Sequence, residues 1–179
     1  MRTVIIGNSG SGKTWLAQKL ATDDTEIIHL DDLFWLPGGY DRKRSKEEIN
    51  LLIVQSKRRE KWISEGVFGE LAEQYFDVAA TLIWLDMPWT LCQTRLNQRG
   101  SVSKQYLERE QSEEGLRRLL EWASQYYDRT DLKSYSGHQS LFDSFPRKKR
   151  RLKSAEDVTA YLESAQQDGA PDAFHAADQ

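Results

Sequence analysis

The sequence predicts an α/β fold, a parallel sheet with helices on both faces, and three observations lead there. Short apolar, mostly β-branched runs recur at residues 4–6, 27–30, 62–64 and 79–85, each of strand length. Segments with helical spacing or helix caps lie between them. The runs end at Gly7, Asp31, Glu65 and Asp86, and a parallel sheet collects its ligands at those carboxyl ends.

Each element has its own signal. Val4-Ile5-Ile6 reads as a strand buried on both faces and stops at Gly7. Trp15, Leu16, Lys19 and Leu20 continue with helical spacing to about Ala21. Ile27-Ile28-His29-Leu30 is a second strand that ends at Asp31-Asp32, and an irregular aromatic segment follows over 33–40. Ser45 with Glu48 three residues on forms a capping box for a helix to about Glu60. Trp62-Ile63-Ser64 is the third strand, 69–76 a short helix, and 79–85 the clearest strand of all. A helix carrying Leu91, Cys92, Arg95, Leu96 and Arg99 stops at Gly100. Residues 101–111 are polar and charged, and a long helix spans about 112–127. Arg150-Arg151-Leu152 reads as a short last strand, and Ser154 caps a final helix to about Glu163. One domain is expected over 1–165, with a small, polar, disordered tail over 166–179.

Composition excludes several classes. Six Trp and seven Tyr are too many for a disordered chain. A net charge of −3 argues against a protein that coats nucleic acid. One cysteine, Cys92, excludes an internal disulfide and Cys-rich metal sites, and three scattered His do not suggest zinc. No apolar run approaches the ~18 residues of a membrane span, and the N-terminal apolar run is too short for a signal peptide. A cytoplasmic protein is the default expectation.

The chemistry begins at Gly7-Asn8-Ser9-Gly10-Ser11-Gly12-Lys13-Thr14, which matches G-x-x-x-x-G-K-[ST], the phosphate-binding P-loop. Glycines let successive amides turn inward as an anion nest, and the following helix adds its positive end. In this motif the lysine, Lys13, is expected to stand exposed in the cleft and reach the β- and γ-phosphates, and the hydroxyl of Thr14 is a Mg²⁺ ligand. ATP and Mg²⁺ are therefore the expected nucleotide and cofactor.

Carboxylates come next. Asp31 or Asp32 is placed to take a proton from an attacking hydroxyl, and Asp31 is preferred. Two acids compete to organise Mg²⁺. Pattern alone picks Asp86, after Leu82-Ile83-Trp84-Leu85. In small P-loop kinases, however, the third strand lies between the first and second, which favours Glu65 with Asp86 capping a turn. Arg95 and Arg99, four apart, share one helix face and form a candidate clamp on the nucleotide. The segment from about 100 to 111 is then a short lid carrying Lys104 and Arg109.

The P-loop, His29-Leu30-Asp31-Asp32-Leu33-Phe34-Trp35, Trp62-Ile63-Ser64-Glu65-Gly66 and Ile83-Trp84-Leu85-Asp86-Met87-Pro88 occur in that order. This resembles the bacterial "DNA topology modulation protein" family, P-loop proteins similar to adenylate kinase, over about residues 2–165. The resemblance implies a three-layer P-loop NTPase fold with a five-stranded parallel sheet, like adenylate and shikimate kinases with a short lid. It also implies that residues 7–14 hold the ATP phosphates, that Glu65 touches the Mg²⁺ shell and that Arg95 and Arg99 flank the ATP. Family members usually read Trp-Ile-Ile-Asp-Gly-Asn-Tyr where this chain has Trp62-Ile63-Ser64-Glu65-Gly66-Val67-Phe68. Glu for Asp keeps the charge and lengthens the arm. The arginine-rich lid run of many members is missing here.

Phe34, Trp35, Arg42 and Gly66 stand in or beside an acceptor-side segment of about 32–60 and are candidate substrate contacts. Cys92 reads as a buried small apolar residue, and His29 as packed at a strand end. The densest basic run, Arg147 to Arg151 with Lys153, suggests a nucleic-acid patch, but part of it is expected to be strand. The expected function is transfer of the γ-phosphoryl group of ATP to a small acceptor, such as a nucleoside, a nucleotide or a hydroxyl acid. The alternative is a regulatory nucleotide-binding protein that acts on DNA or protein partners with little turnover.

Overall fold

Five parallel strands form one sheet in the order β2-β3-β1-β4-β5. The computed structural model describes residues 1–37, 42–100 and 109–168. Along the chain run β1 (Arg2–Gly7), α1 (Lys13–Leu20), β2 (Glu26–His29), α2 (Leu30–Phe34), α3 (Lys46–Ser56) and β3 (Trp62–Gly66). Then come α4 (Gly69–Ala72) with a 3-10 turn (Glu73–Tyr75), β4 (Thr81–Leu85) and α5 (Trp89–Arg99). The chain continues through α6 (Arg109–Ser124) with a second 3-10 turn (Gln125–Tyr127), α7 (Tyr135–Ser144), β5 (Lys148–Leu152) and α8 (Ala155–Asp168).

The strand alternation divides the core in two. Val4, Ile6, Trp62, Leu82 and Trp84 face one layer, where they meet Tyr75, Leu141 and Phe145. Ile5, Ile63, Ile83 and Leu85 face the other, against Leu16, Cys92, Leu152 and Val158. Central strands with both faces covered explain the continuous apolar runs. The buried small-apolar reading of Cys92 agrees with its full burial. Ser45 and Glu48 make both bonds of the expected capping box.

Several boundaries differ from expectation. β2 ends at His29, and residues 30–34 form α2 instead of strand and irregular chain. Asp31 and Asp32 thus occupy a first helical turn, where the helix dipole favours acids. Buried Leu30 seats the turn against Gly66, where a Cβ would lie 2.6 Å from that of Leu30. α3 stops at Ser56, short of Glu60, and the Ser56 hydroxyl bonds back to the Ile53 carbonyl. α6 starts at Arg109 and α8 runs to Asp168, past the expected Glu163.

The sequence reading had no counterpart for α7. Its residues bury Gly137, His138 and Leu141. The His138 ring lies between the Val67 carbonyl (3.1 Å from Nε2) and the Tyr126 hydroxyl (2.7 Å from Nδ1). Only a donor satisfies a carbonyl, so Nε2 carries the proton and Nδ1 accepts from Tyr126. The same hydroxyl accepts from Trp84 Nε1 at 3.2 Å. The chain Trp84–Tyr126–His138–Val67 is fully paired and ties β4, the turn after α6, α7 and the segment after β3 together. Burial holds His138 neutral, its pKa down to about 3.

The lid expected over 100–111 falls mostly on residues 101–108, including Lys104, and most of the tail on 169–179. Both stretches lie outside the described residues. No helix among the described residues is long and apolar enough to cross a membrane.

Candidate functional site

The loop between β1 and α1 wraps over the carboxyl edge of the central strand. Gly10 and Gly12 have φ of 80° and 100°, in the left-handed region that favours glycine. A Cβ on Gly10 would sit 2.5 Å from the Cys92 carbonyl oxygen, so the loop lies directly on α5. The amides of Gly10, Gly12, Lys13 and Thr14 find no hydrogen-bond partner among the described residues. Such an arrangement is a nest for an anion.

Asn8 and Ser11 hold the loop's shape. Asn8 Nδ2 donates to the Ala123 carbonyl at 3.0 Å, and its Oδ1 accepts from the Ser9 amide at 2.8 Å. The Ser11 amide donates to the Asn8 carbonyl, and the Ser11 carbonyl accepts from Arg95 Nη1 at 2.8 Å. Arg95 thus joins α5 to the loop. Arg99, one turn on, is exposed, and its charge acts on Lys13.

Lys13 departs from the expectation that it stands exposed in the cleft. It is 8% exposed, and Nζ donates to the Asn8 carbonyl at 2.9 Å. Burial lowers its pKa, while Glu65 and Asp31 act in the opposite direction.

Behind the loop, Thr14 Oγ1 donates to Glu65 Oε1 at 2.8 Å. Glu65 is 4% exposed. Burial pushes its carboxyl up, but the bonds from His29 and Thr14 and the charge of Lys13 outweigh it and leave the pKa below the usual range. A hydroxyl that donates to an ionised carboxylate keeps its lone pairs free for a cation. The donor set fits Mg²⁺, which binds few protein oxygens and keeps water and phosphate oxygens for the rest. No three His, Cys, Asp or Glu side chains converge as a metal cage among the described residues.

Asp86 is elsewhere. Its Oδ2 accepts from Arg151 Nε at 3.0 Å and Nη2 at 2.8 Å, while the Arg151 guanidinium lies 4.1 Å from the Trp84 ring. Of the two acids, Glu65 is the one beside Thr14.

Asp31 is half-buried and Asp32 exposed. Burial raises the Asp31 pKa, opposed by Lys13 and reinforced by Glu65. Both groups are therefore in electrostatic reach of it. The helix, not the strand phase, decides which of the two acids faces inward.

The other candidates lie around α2 and the end of β3. Phe34 stacks on Phe68 at 4.4 Å and meets Trp35 edge-on at 4.8 Å, and both Phe34 and Trp35 pack against the core. Trp35 also bridges to Lys43. Arg42 is exposed, its carbonyl accepting from the Leu36 amide. Gly66 lies beneath Leu30. Lys133, which the sequence reading did not single out, stands 4.6 Å over the Phe68 ring and pairs with Glu70 at 3.1 Å. No sequence pattern places residue 133 here, because it follows the unexpected turn before α7. His29, read from sequence as packed, has its Nδ1 2.6 Å from Glu65 Oε1. Strand order was the signal that could have found that pair, since both residues end adjacent strands.

A five-stranded parallel sheet with β3 between β1 and β2, a P-loop after β1 and helices on both faces is the fold of P-loop kinases. Shikimate kinase from Acinetobacter baumannii, solved in complex with shikimate, superposes with a TM-score of 0.50 at 13% identity, covering 96% of each chain. A gluconokinase from Sinorhizobium meliloti 1021 superposes with a TM-score of 0.44 at 11% identity, over 94% of this chain and 97% of that one. No family model matches the chain, and neither does any curated protein.

Proposed function

We propose that the protein is a small-molecule kinase that transfers the γ-phosphoryl group of ATP to a hydroxyl of a small acceptor. The observation that carries this reading is the grouping of Lys13, Thr14, Asp31 and Glu65, from α1, α2 and β3: Thr14 bonds Glu65, and the charges of Lys13, Asp31 and Glu65 act on one another. The free amides of the loop hold phosphate oxygens. Lys13 exchanges the Asn8 carbonyl for a phosphate and so meets charge with charge. Thr14 and Glu65 hold Mg²⁺, which when bound neutralises charge on the phosphates. Asp31 orients the acceptor hydroxyl and takes its proton, a task suited to a carboxyl with a raised pKa. Arg95, braced on Ser11, and Arg99 flank the nucleotide. Catalysis is then positioning plus electrostatics.

The regulatory, DNA-directed alternative leans on the basic run, and three of its six cations are engaged internally. Arg147 donates to the carbonyls of Phe76, Asp77 and Ala79, Lys149 to those of Phe142 and Asp143, and Arg151 to Asp86, Tyr135 and Gln139. An ATP-consumption assay with Mg²⁺ over a panel of nucleosides, nucleotides and hydroxyl acids tests the proposal. One acceptor class is expected to raise turnover well above the background of hydrolysis. No affinity for ATP, or no acceptor in the panel, overturns it.

A further inference from the structure

His29 and Glu65 are register partners at the carboxyl ends of β2 and β3. In a parallel pair, partners project to the same face of the sheet, here the face toward Thr14. Nδ1 of His29 lies 2.6 Å from Oε1 of Glu65, and Thr14 donates to that same oxygen. Because the carboxylate is ionised, Nδ1 carries the proton and donates. Oε1 is therefore held from two sides, while Oε2 accepts no hydrogen bond among the described residues.

A glutamate has one more rotatable bond than an aspartate and reaches more positions. Two donors on one oxygen remove that freedom and leave the second oxygen to a cation. We propose that His29 is a positioning residue that fixes the Glu65 side chain for Mg²⁺ in the nucleotide complex. This rests on the kinase reading above. His29 touches neither nucleotide nor metal; it acts through Glu65.

The test measures affinity for a non-hydrolysable ATP analogue by calorimetry, once with Mg²⁺ and once with EDTA, and affinity for Mn²⁺ in the presence of the analogue by electron paramagnetic resonance. Loss of an outer partner of a metal ligand commonly costs ~10–100-fold in metal affinity. His29→Leu is expected to lose about that much of the metal-dependent gain while keeping the affinity measured in EDTA. His29→Asn, whose amide carries a donor near the Nδ1 position, is expected to retain most of it. A role in packing alone would lower both affinities together or spare both. An unchanged metal-dependent gain in His29→Leu overturns the proposal, and so does an Asn variant as poor as the Leu variant. If His29→Leu does not fold, His29→Gln, whose amide sits one atom too far, replaces it with the same expectation. Wild-type protein that binds no analogue at all overturns the kinase reading itself, a result distinct from the others.

Discussion

The Tyr126 hydroxyl and the His138 ring, 2.7 Å apart and both buried, fix each other's proton. Tyr126 also receives the indole N–H of Trp84, so its removal orphans two buried groups at once. An unsatisfied buried polar group costs ~1–3 kcal/mol. Tyr126→Phe is therefore expected to destabilise the fold by at least about 2 kcal/mol, read from urea denaturation at neutral pH.

The same ring makes a prediction about pH. The folded His138 pKa, about 3, lies below the ordinary histidine value of ~6.5. Between those values the unfolded chain binds a proton that the folded chain refuses. Stability thus falls as pH falls through that window, by up to about 1.4 kcal/mol per unit at its steepest. In a histidine NMR titration, the His138 ring is expected to keep neutral-form shifts at pH 5. A midpoint near 6.5 would contradict the closed, tautomer-fixed network.

Lys13→Ala separates binding from folding. The Asn8 carbonyl keeps its bond from the Ser11 amide when Nζ is lost, and the variant no longer buries a cation. The unfolding midpoint is expected to hold or rise. Hydrogen bonds to charged groups contribute ~1.5–3 kcal/mol, so ATP affinity should fall by roughly tenfold or more. Calorimetry with Mg²⁺ checks it, and equal affinity in both proteins would remove the phosphate cradle from the argument.

Much of this architecture was legible because its causes are local. Four apolar runs, a capping box and an eight-residue loop motif each carry their own signal, and the strand order then brings Glu65 to Thr14. What stayed hidden depends on tertiary contact. Residues 30–34 look like strand plus irregular chain until Leu30 is seated over Gly66. The place of α7 is set by His138 and Leu141 against distant partners, which no local pattern announces. Lys13 reads as an exposed cleft residue until the Asn8 carbonyl is seen to receive it.

Asp31→Asn tests the acceptor side. The amide keeps the size and accepts no proton. General-base contributions are typically ~10²–10⁴-fold, and turnover is expected to fall within that range while ATP affinity stays close to that of the wild type. Asp32 is exposed, so Asp32→Asn should change turnover little. A large rate loss in Asp32→Asn alone would reverse the assignment of the base.

The basic strand offers the sharpest separation between the two functional classes. Arg147, Lys149 and Arg151 brace β5 through carbonyls and Asp86, whereas Lys148 and Arg150 are exposed. Changing the exposed pair with Lys153 to Gln should leave the unfolding midpoint in place. Arg151→Gln should instead lower stability by about 1–3 kcal/mol, because Asp86, whose side chain is 10% exposed, loses its partner. Duplex DNA is expected to bind the wild type no more tightly than roughly 10⁻⁴–10⁻⁶ M at physiological salt, with affinity falling steeply as salt rises. The exposed triple variant should weaken even that. Mobility shifts at two salt concentrations decide the matter: a sequence-selective complex that survives high salt and disappears in the triple variant would make DNA the partner.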